Sequence, residues 1–353
     1  MLPIAESYLR EFVAPQAAAI DTDPKVLQDA IAGLGDRSLL ALRVPKAWGG
    51  AEVDNKTFWA FQEMVARYSG ALAFLQTQHQ SAGAMLVSSK NEAVKQQYLP
   101  NMGSGKLLVG LGFSQLRRQG IPPVKALPIE KGYQLNGEVP WVTGWGFFQD
   151  FIVGAVLPDS RSVFGILPLK NTSQTGGGEI SLSTPLPLAA MESTNTVTAH
   201  LSEWFLPAES VLFIKPASWI HENDKKNILN PGFFALGCAK AGLDIVEATA
   251  KTKQIDFINQ AFQSLDQELN SCRAAMIENQ QWDQQTIAEK LKIRAWAIDL
   301  AVRCAHAGVT VSSGAANNRY HPAQRVYREA LMFTVVAQTT AMMEATLARL
   351  ISR

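Results

Sequence analysis

Two short stretches of this chain carry residue types suited to chemistry on a small molecule. One is Trp141-Val142-Thr143-Gly144. An indole with a hydroxyl two residues on can cover a flat heterocycle and donate a hydrogen bond to its edge; equally, the tryptophan can fill a core. The other runs from Gly112 through Ser114 to Arg117-Arg118 and Gly120. Two adjacent arginines ahead of a glycine suit a phosphate or a carboxylate. The same arginines also read as a solvated charged turn. His79 lies mid-helix among Gln and Ser residues and reads as a satisfied, half-buried histidine rather than a base. Cys238, Cys272 and Cys304 stand far apart, with no CxxC pair and no histidine at ligand spacing. They predict neither a metal site nor a disulfide framework, and point to a reducing cytoplasm.

The elements that position these residues follow from periodicity. Asn136-Gly137 separates two partly alternating segments, Tyr133–Leu135 and Glu138–Thr143, and predicts a tight hairpin whose second arm ends in the Trp-Val-Thr edge. From Ile4 to Leu108 the pattern is helical, with apolar residues at three- and four-residue spacing in Tyr8–Ile20, Val26–Leu34, Phe58–Tyr68 and Leu72–Val87. Between Leu107 and Leu212, β-rich runs alternate with Pro, Gly and Asn, predicting an antiparallel domain of roughly seven or eight strands. Helical periodicity returns in Gly232–Thr252, Phe257–Glu278, Thr286–Ser312 and Tyr327–Leu350, enough for a four-helix bundle with apolar faces wide enough to bury a partner. The expected fold class is α+β multi-domain: an N-terminal helical domain (1–107), a central antiparallel β-domain (108–214) and a C-terminal four-helix bundle (215–353).

Composition narrows the function. With 32 basic and 31 acidic side chains in 353 residues, nothing argues for a nucleic-acid surface or an anionic membrane. The first residues show no signal pattern, and no apolar run approaches bilayer length, so a cytoplasmic protein acting on a small molecule is expected.

Several motifs resemble the acyl-CoA dehydrogenase family. Gly132-Tyr133-x-Leu135-Asn136-Gly137-x-x-x-Trp141-Val142-Thr143 is similar to its flavin-contacting segment. Lys95-x-x-Tyr98-Leu99-Pro100 is similar to its exit into the sheet. Pro322-x-x-Arg325-x-x-Arg328-Glu329-Ala330 is similar to its signature ending in Arg-Asp-Ala. The resemblance implies FAD as cofactor, an acyl-CoA-like substrate and a homodimer or homotetramer. It implies Ser114, Trp141, Thr143, Gly314 and Thr339 as cofactor-binding positions, with Arg117 and Arg118 facing an anionic part of a ligand.

The chain also departs from the family. Thr310, Ser313 and Ala316 replace a glutamine and two glycines of the segment that serves the cofactor diphosphate of a neighbouring subunit. An Arg-x-x-x-Phe-Gly element expected near Lys253–Ile258 is missing. The usual Tyr-Glu-Gly-Thr falls on Val336-Ala337-Gln338-Thr339, so Ala337 stands where the proton-abstracting glutamate is expected. The alternative base position falls on Asn227-Ile228. On a continuous helix Glu344 lies roughly 10 Å from Ala337, too far to substitute, and Glu329 is no better placed. No catalytic residue is assigned. Three functions remain open: a flavin-dependent oxidoreductase with altered chemistry (monooxygenase-like, or acting on an unusual acyl substrate), a non-redox acyl-thioester-binding or regulatory protein, and a dehydrogenase with a relocated base.

Overall fold

A computed structural model of the chain describes residues 1–281 and 287–351. Six helices come first: α1 (Leu2–Tyr8), α2 (Ala17–Thr22), α3 (Pro24–Gly35), α4 (Asn55–Tyr68), α5 (Gly70–Ser88) and α6 (Glu92–Met102). Their starts are chemically defined. Asp23, Asp54, Ser69 and Asn91 each accept a backbone N–H through the side chain at the N-terminus of α3, α4, α5 and α6.

Nine strands follow, β1 (Val109–Gly112), β2 (Val124–Ile129), β3 (Gly132–Val142), β4 (Asp150–Val156), β5 (Ser162–Pro168), β6 (Thr172–Ser173), β7 (Glu179–Leu182), β8 (Val197–Pro207) and β9 (Val211–Lys215). They form one sheet in the order β6-β7-β8-β3-β2-β4-β5-β9, with β1 paired to β4. The sheet is mixed rather than wholly antiparallel. β1 runs parallel to β4, Val109 opposite Asp150, and β2 meets β4 parallel at Lys125 and Val156. The reason is connectivity: β1 leaves through a 3-10 turn, and the β2–β3 pair intervenes before the chain returns as β4.

The expected Asn136-Gly137 hairpin turn is not there. β3 runs straight through it, and the turn that joins β2 to β3 is Glu130-Lys131, with Lys131 left-handed at φ 63°. Asn-Gly serves a β-bulge instead. The β3–β8 register slips between Leu135 and Gly137, Glu203 is left-handed, and the Asn136 side-chain oxygen accepts the Glu203 N–H at 2.8 Å. Gly137 is required because a Cβ there would lie 1.9 Å from the Pro123 carbonyl oxygen.

The last part holds α7 (Trp219–Lys226), α8 (Gly232–Lys253), α9 (Asp256–Gln281), α10 (Ile287–Ser312), α11 (Pro322–Val335) and α12 (Thr340–Ile351). Thr286, the expected start of the third bundle helix, lies outside the described residues. The expected fourth helix is two helices, broken at 336–339. Ion pairs fasten this bundle to the N-terminal helices: Arg67 to Asp244 at 2.7 Å and Arg273 to Glu63 at 2.6 Å.

Candidate active site

Sheet, α7 and the bundle meet where the turn after β1 reaches α7 through Arg117 and where Arg294 joins Ile228 to Val336. A Cβ added to Gly112 would lie 3.0 Å from Val139 Cγ1, and one on Gly110 would lie 3.2 Å from the Thr143 carbonyl oxygen. β1 therefore runs beside the last part of β3 in the opposite sense, with Gly110 at Thr143 and Gly112 at Val139, so Ser114 continues past Val139 rather than toward Thr143. Trp141 is 49% exposed despite its size. Ser114 is exposed at the start of the 3-10 turn Ser114–Arg117, and its hydroxyl has no protein partner among the described residues. The turn is anchored by Gln115, whose amide donates to the Gly112 and Gly154 carbonyls. Thr143 is buried, its hydroxyl 3.0 Å from that of Thr196.

Arg117 and Arg118 part company. Arg117 sends both fork nitrogens to Asp224 on α7, at 2.8 and 2.7 Å. Arg118 is exposed. An anion would meet one arginine here, not two.

Across α7 the junction continues into the break between α11 and α12. Ala337 is left-handed (φ 49°) and exposed, and Thr339 caps α12 by accepting the Met342 N–H at 3.2 Å. The break is held by Arg294 of α10, a residue that sequence reasoning missed. Only 4% exposed, Arg294 donates to the carbonyls of Val336 (2.5 Å), Ala337 (3.4 Å) and Ile228 (3.3 Å), while its Nε–H has no partner. Burial lowers its pKa to about 10, opposed by the Asp224 carboxylate and reinforced by Arg117. One guanidinium thus ties position 337 to Ile228, the residue after Asn227, where the resemblance puts the alternative carboxylate. The signal for it was a single arginine inside the apolar run Ile293–Ile298.

Around the second of those positions, neutral amides replace a carboxylate. Gln280 donates to Asn230 (2.6 Å), Asn230 to Asn227 (2.7 Å), and Asn227 to the Asn223 carbonyl (2.8 Å). Neither Glu329 nor Glu344 serves position 337. Glu344 is exposed on α12, beyond the break. Glu329 is fully buried and accepts from Arg325 at 2.6 Å and from the Gly70 N–H at 3.0 Å, and burial raises its pKa. Arg328 pairs with buried Asp21 at 2.6 Å. The Arg-x-x-Arg-Glu stretch therefore docks α11 against α2 and α5.

His79 is fully buried, not half-buried. Its Nδ1 accepts the Val109 N–H at 3.0 Å, so Nε2 carries the proton toward the Met102 carbonyl at 3.1 Å. Burial pushes its pKa down to about 4, and it stays neutral as a clip between α5, α6 and β1. Gly314 is not part of this junction within one chain. It follows the far end of α10, and the eighteen residue steps from Arg294 to Ser312 alone span about 27 Å at helical rise. A cavity of about 530 Å³ opens at that far end, between the last half of α8 and the α10–α11 connection. Among the described residues no three His, Cys, Asp or Glu side chains are grouped to share a metal ion, and no helix is long and apolar enough to cross a membrane.

Helices, a mixed sheet and a broken bundle around one junction define a class that the comparisons identify. Residues 4–106 match the family model described as acyl-CoA dehydrogenase, N-terminal domain. The chain is 27% identical over 261 residues to the very long-chain specific acyl-CoA dehydrogenase, mitochondrial, of Rattus norvegicus, an alignment taking in 67% of this chain and 38% of that protein. Thus the chain spans under two fifths of that relative. It is 21% identical over 370 residues to a probable acyl-CoA dehydrogenase of Bacillus subtilis, covering 98% of this chain and 95% of the other. The butyryl-CoA dehydrogenase structure from Megasphaera elsdenii shares the fold with a TM-score of 0.81 at 16% identity, over 99% and 97% of the two chains. Residues 4–106 thus match the N-terminal domain of the acyl-CoA dehydrogenase family, and the chain as a whole has the acyl-CoA dehydrogenase fold.

The family implies FAD, and the residues present can be tested against it. Groups of a kind that could face a flavin ring are present: a half-exposed indole at Trp141 and, among the described residues, an unpartnered hydroxyl at Ser114. The far end of α10 suits the rest of the dinucleotide poorly, as developed below.

Proposed function

We propose that this chain is a flavin-dependent oxidoreductase acting on an acyl thioester or a related small molecule, by chemistry that uses no side-chain carboxylate at position 337. The observation that carries the reading is the α11–α12 break. Buried Arg294 holds its Val336 and Ala337 carbonyls, and exposed Ala337 offers a methyl group where the family resemblance puts the base. A bound flavin would supply the two-electron sink at its ring. The chain's own part would be to cover the ring with Trp141, to donate to its edge from Ser114 and Thr143, and to leave Arg118 for an anionic part of the ligand. Asp224 is the carboxylate nearest this arrangement in argument, but both its oxygens are taken by Arg117, which leaves it poorly placed to remove a proton. This weighs against a relocated base. A monooxygenase-like reaction or an unusual acyl substrate would need none.

Two further features belong to the proposal. Tyr327, Leu331 and Val335 line one exposed face of α11, and Met343, Leu347 and Leu350 are exposed on α12, an apolar surface suited to a second copy in a homodimer or homotetramer. Three buried free thiols suit a reducing cytoplasm. A visible difference spectrum on adding oxidised flavin tests the reading. Perturbed flavin bands support it, and anaerobic bleaching by an acyl-CoA would restore the dehydrogenase. Unperturbed bands would favour the non-redox thioester binder.

A further inference from the structure

The far end of the bundle is where the resemblance puts the diphosphate and adenine of a neighbouring copy's cofactor, and its chemistry is wrong for them. α8 and α9 are joined by two residues, Gln254 and Ile255, with Gln254 left-handed at φ 53°. Over Lys253–Ile258 the Arg-x-x-x-Phe-Gly pattern keeps Phe257 alone, with Lys253 in place of the arginine and Ile258 in place of the glycine. Lys253, the last residue of α8, donates to the Val311 carbonyl at 3.0 Å, a neutral partner that fixes where its charge sits. Lys251 is spent on Glu247 at 2.6 Å. On the facing connection, Ser313 takes a left-handed φ of 53° where the family has glycine, so its side chain stands where a phosphate would need bare backbone. The hydroxyls lining the adjoining cavity have already donated to their own helices. Thr249 donates to Ile245, Thr252 to Ala248 and Ser312 to Gly308, at 2.9, 2.9 and 2.7 Å. The cavity's one carboxylate, Asp244, is held by Arg67, so that pair leaves no free cation for a phosphate. Arg319 is the cation left over on this connection, exposed to solvent and so worth little by itself. Diphosphates are held by several charge-assisted bonds or a cradle of backbone N–H groups, and the described residues lining this end offer few free cations.

We infer that the chain recognises the flavin ring system and makes no use of the adenine half of the dinucleotide, so that FAD and FMN bind alike and exchange freely. The inference rests on the flavin reading above and deepens it: the flavin is a dissociable ligand held at one end, with the sheet and α7 side of a single copy doing the holding. Oligomer formation then leaves flavin affinity unchanged.

Equilibrium titration of the full chain with FAD, FMN and riboflavin, read by flavin fluorescence, tests it. Dissociation constants for FAD and FMN within about fivefold of each other are expected, a difference of about 1 kcal/mol. A larger advantage for FAD overturns the inference while leaving the flavin reading intact. No binding of any of the three overturns both. The paired variant Lys253→Ala with Arg319→Ala, both distant from the junction, should keep FAD affinity within about twofold. A greater loss confined to FAD would show that the dinucleotide end is in use after all.

Discussion

Removing one partner of the buried Arg325–Glu329 pair should cost far more than removing both. Both side chains are almost wholly inaccessible, at 8% and 0%. One carboxylate oxygen accepts from Arg325 and the Gly70 N–H, and the other has no partner. Arg325→Met strands a buried carboxylate with a single backbone donor and should cost about 3–5 kcal/mol. Glu329→Met strands the guanidinium at similar cost. The double variant leaves no buried charge from the pair, only the Gly70 N–H without its acceptor, a loss of about 1–3 kcal/mol. The two single changes should therefore fail to add, with several kcal/mol of coupling in urea unfolding followed by far-UV circular dichroism. Additive losses, or a neutral Arg325→Met, would refute the idea that this signature stretch works as a buried electrostatic dock between α11 and the first helices.

Glu329 also predicts a pH effect. Its folded pKa lies above the unfolded value, so the stability it contributes is fully present below the ordinary carboxylate range and fades as pH rises through the raised folded value. Between neutral pH and that range, acidification should stabilise the wild type more than Glu329→Gln, and parallel pH profiles of the two would remove the effect from this residue. Arg294→Met should loosen the α11–α12 break, seen as faster proteolytic cleavage within 336–339, whereas an unchanged cleavage pattern would mean that the turn holds itself. Ala337→Glu restores a carboxylate at the open turn; if the base is all that dehydrogenation lacks, anaerobic flavin bleaching by an acyl-CoA should rise on the order of 100-fold. No rise would show that the chemistry has moved further than one side chain.

The helix–sheet–helix order was legible because hydrophobic period switches cleanly near Leu108 and again near Trp219, and because local capping residues mark most early helices. The Asn136-Gly137 bulge was not legible as such. The same dipeptide answers two needs, a left-handed pair in a turn or a side-chain acceptor beside a permissive backbone, and only the partner Glu203, 67 residues away, decides between them. The break at 336–339 was hidden for a related reason. Apolar spacing continues across it, and the left-handed residue is an alanine. What holds it is Arg294, 42 residues earlier. Arg117 looked available because its partner, Asp224, is 107 residues further on. At the site, the sequence exposed residue types and a missing base, while commitments between distant residues came only with the fold.

The central claim is that a flavin ring lies against Trp141 at the sheet–bundle junction. It is tested most directly by titrating wild type and Trp141→Ala with oxidised FMN, following the flavin absorption bands. The account predicts saturable perturbation in the wild type and at least about a tenfold weaker constant, 1.4 kcal/mol, in the variant. Because the indole is half exposed, the variant should keep its fold. Identical binding by both proteins would place the flavin elsewhere, and binding by neither would end the flavin reading.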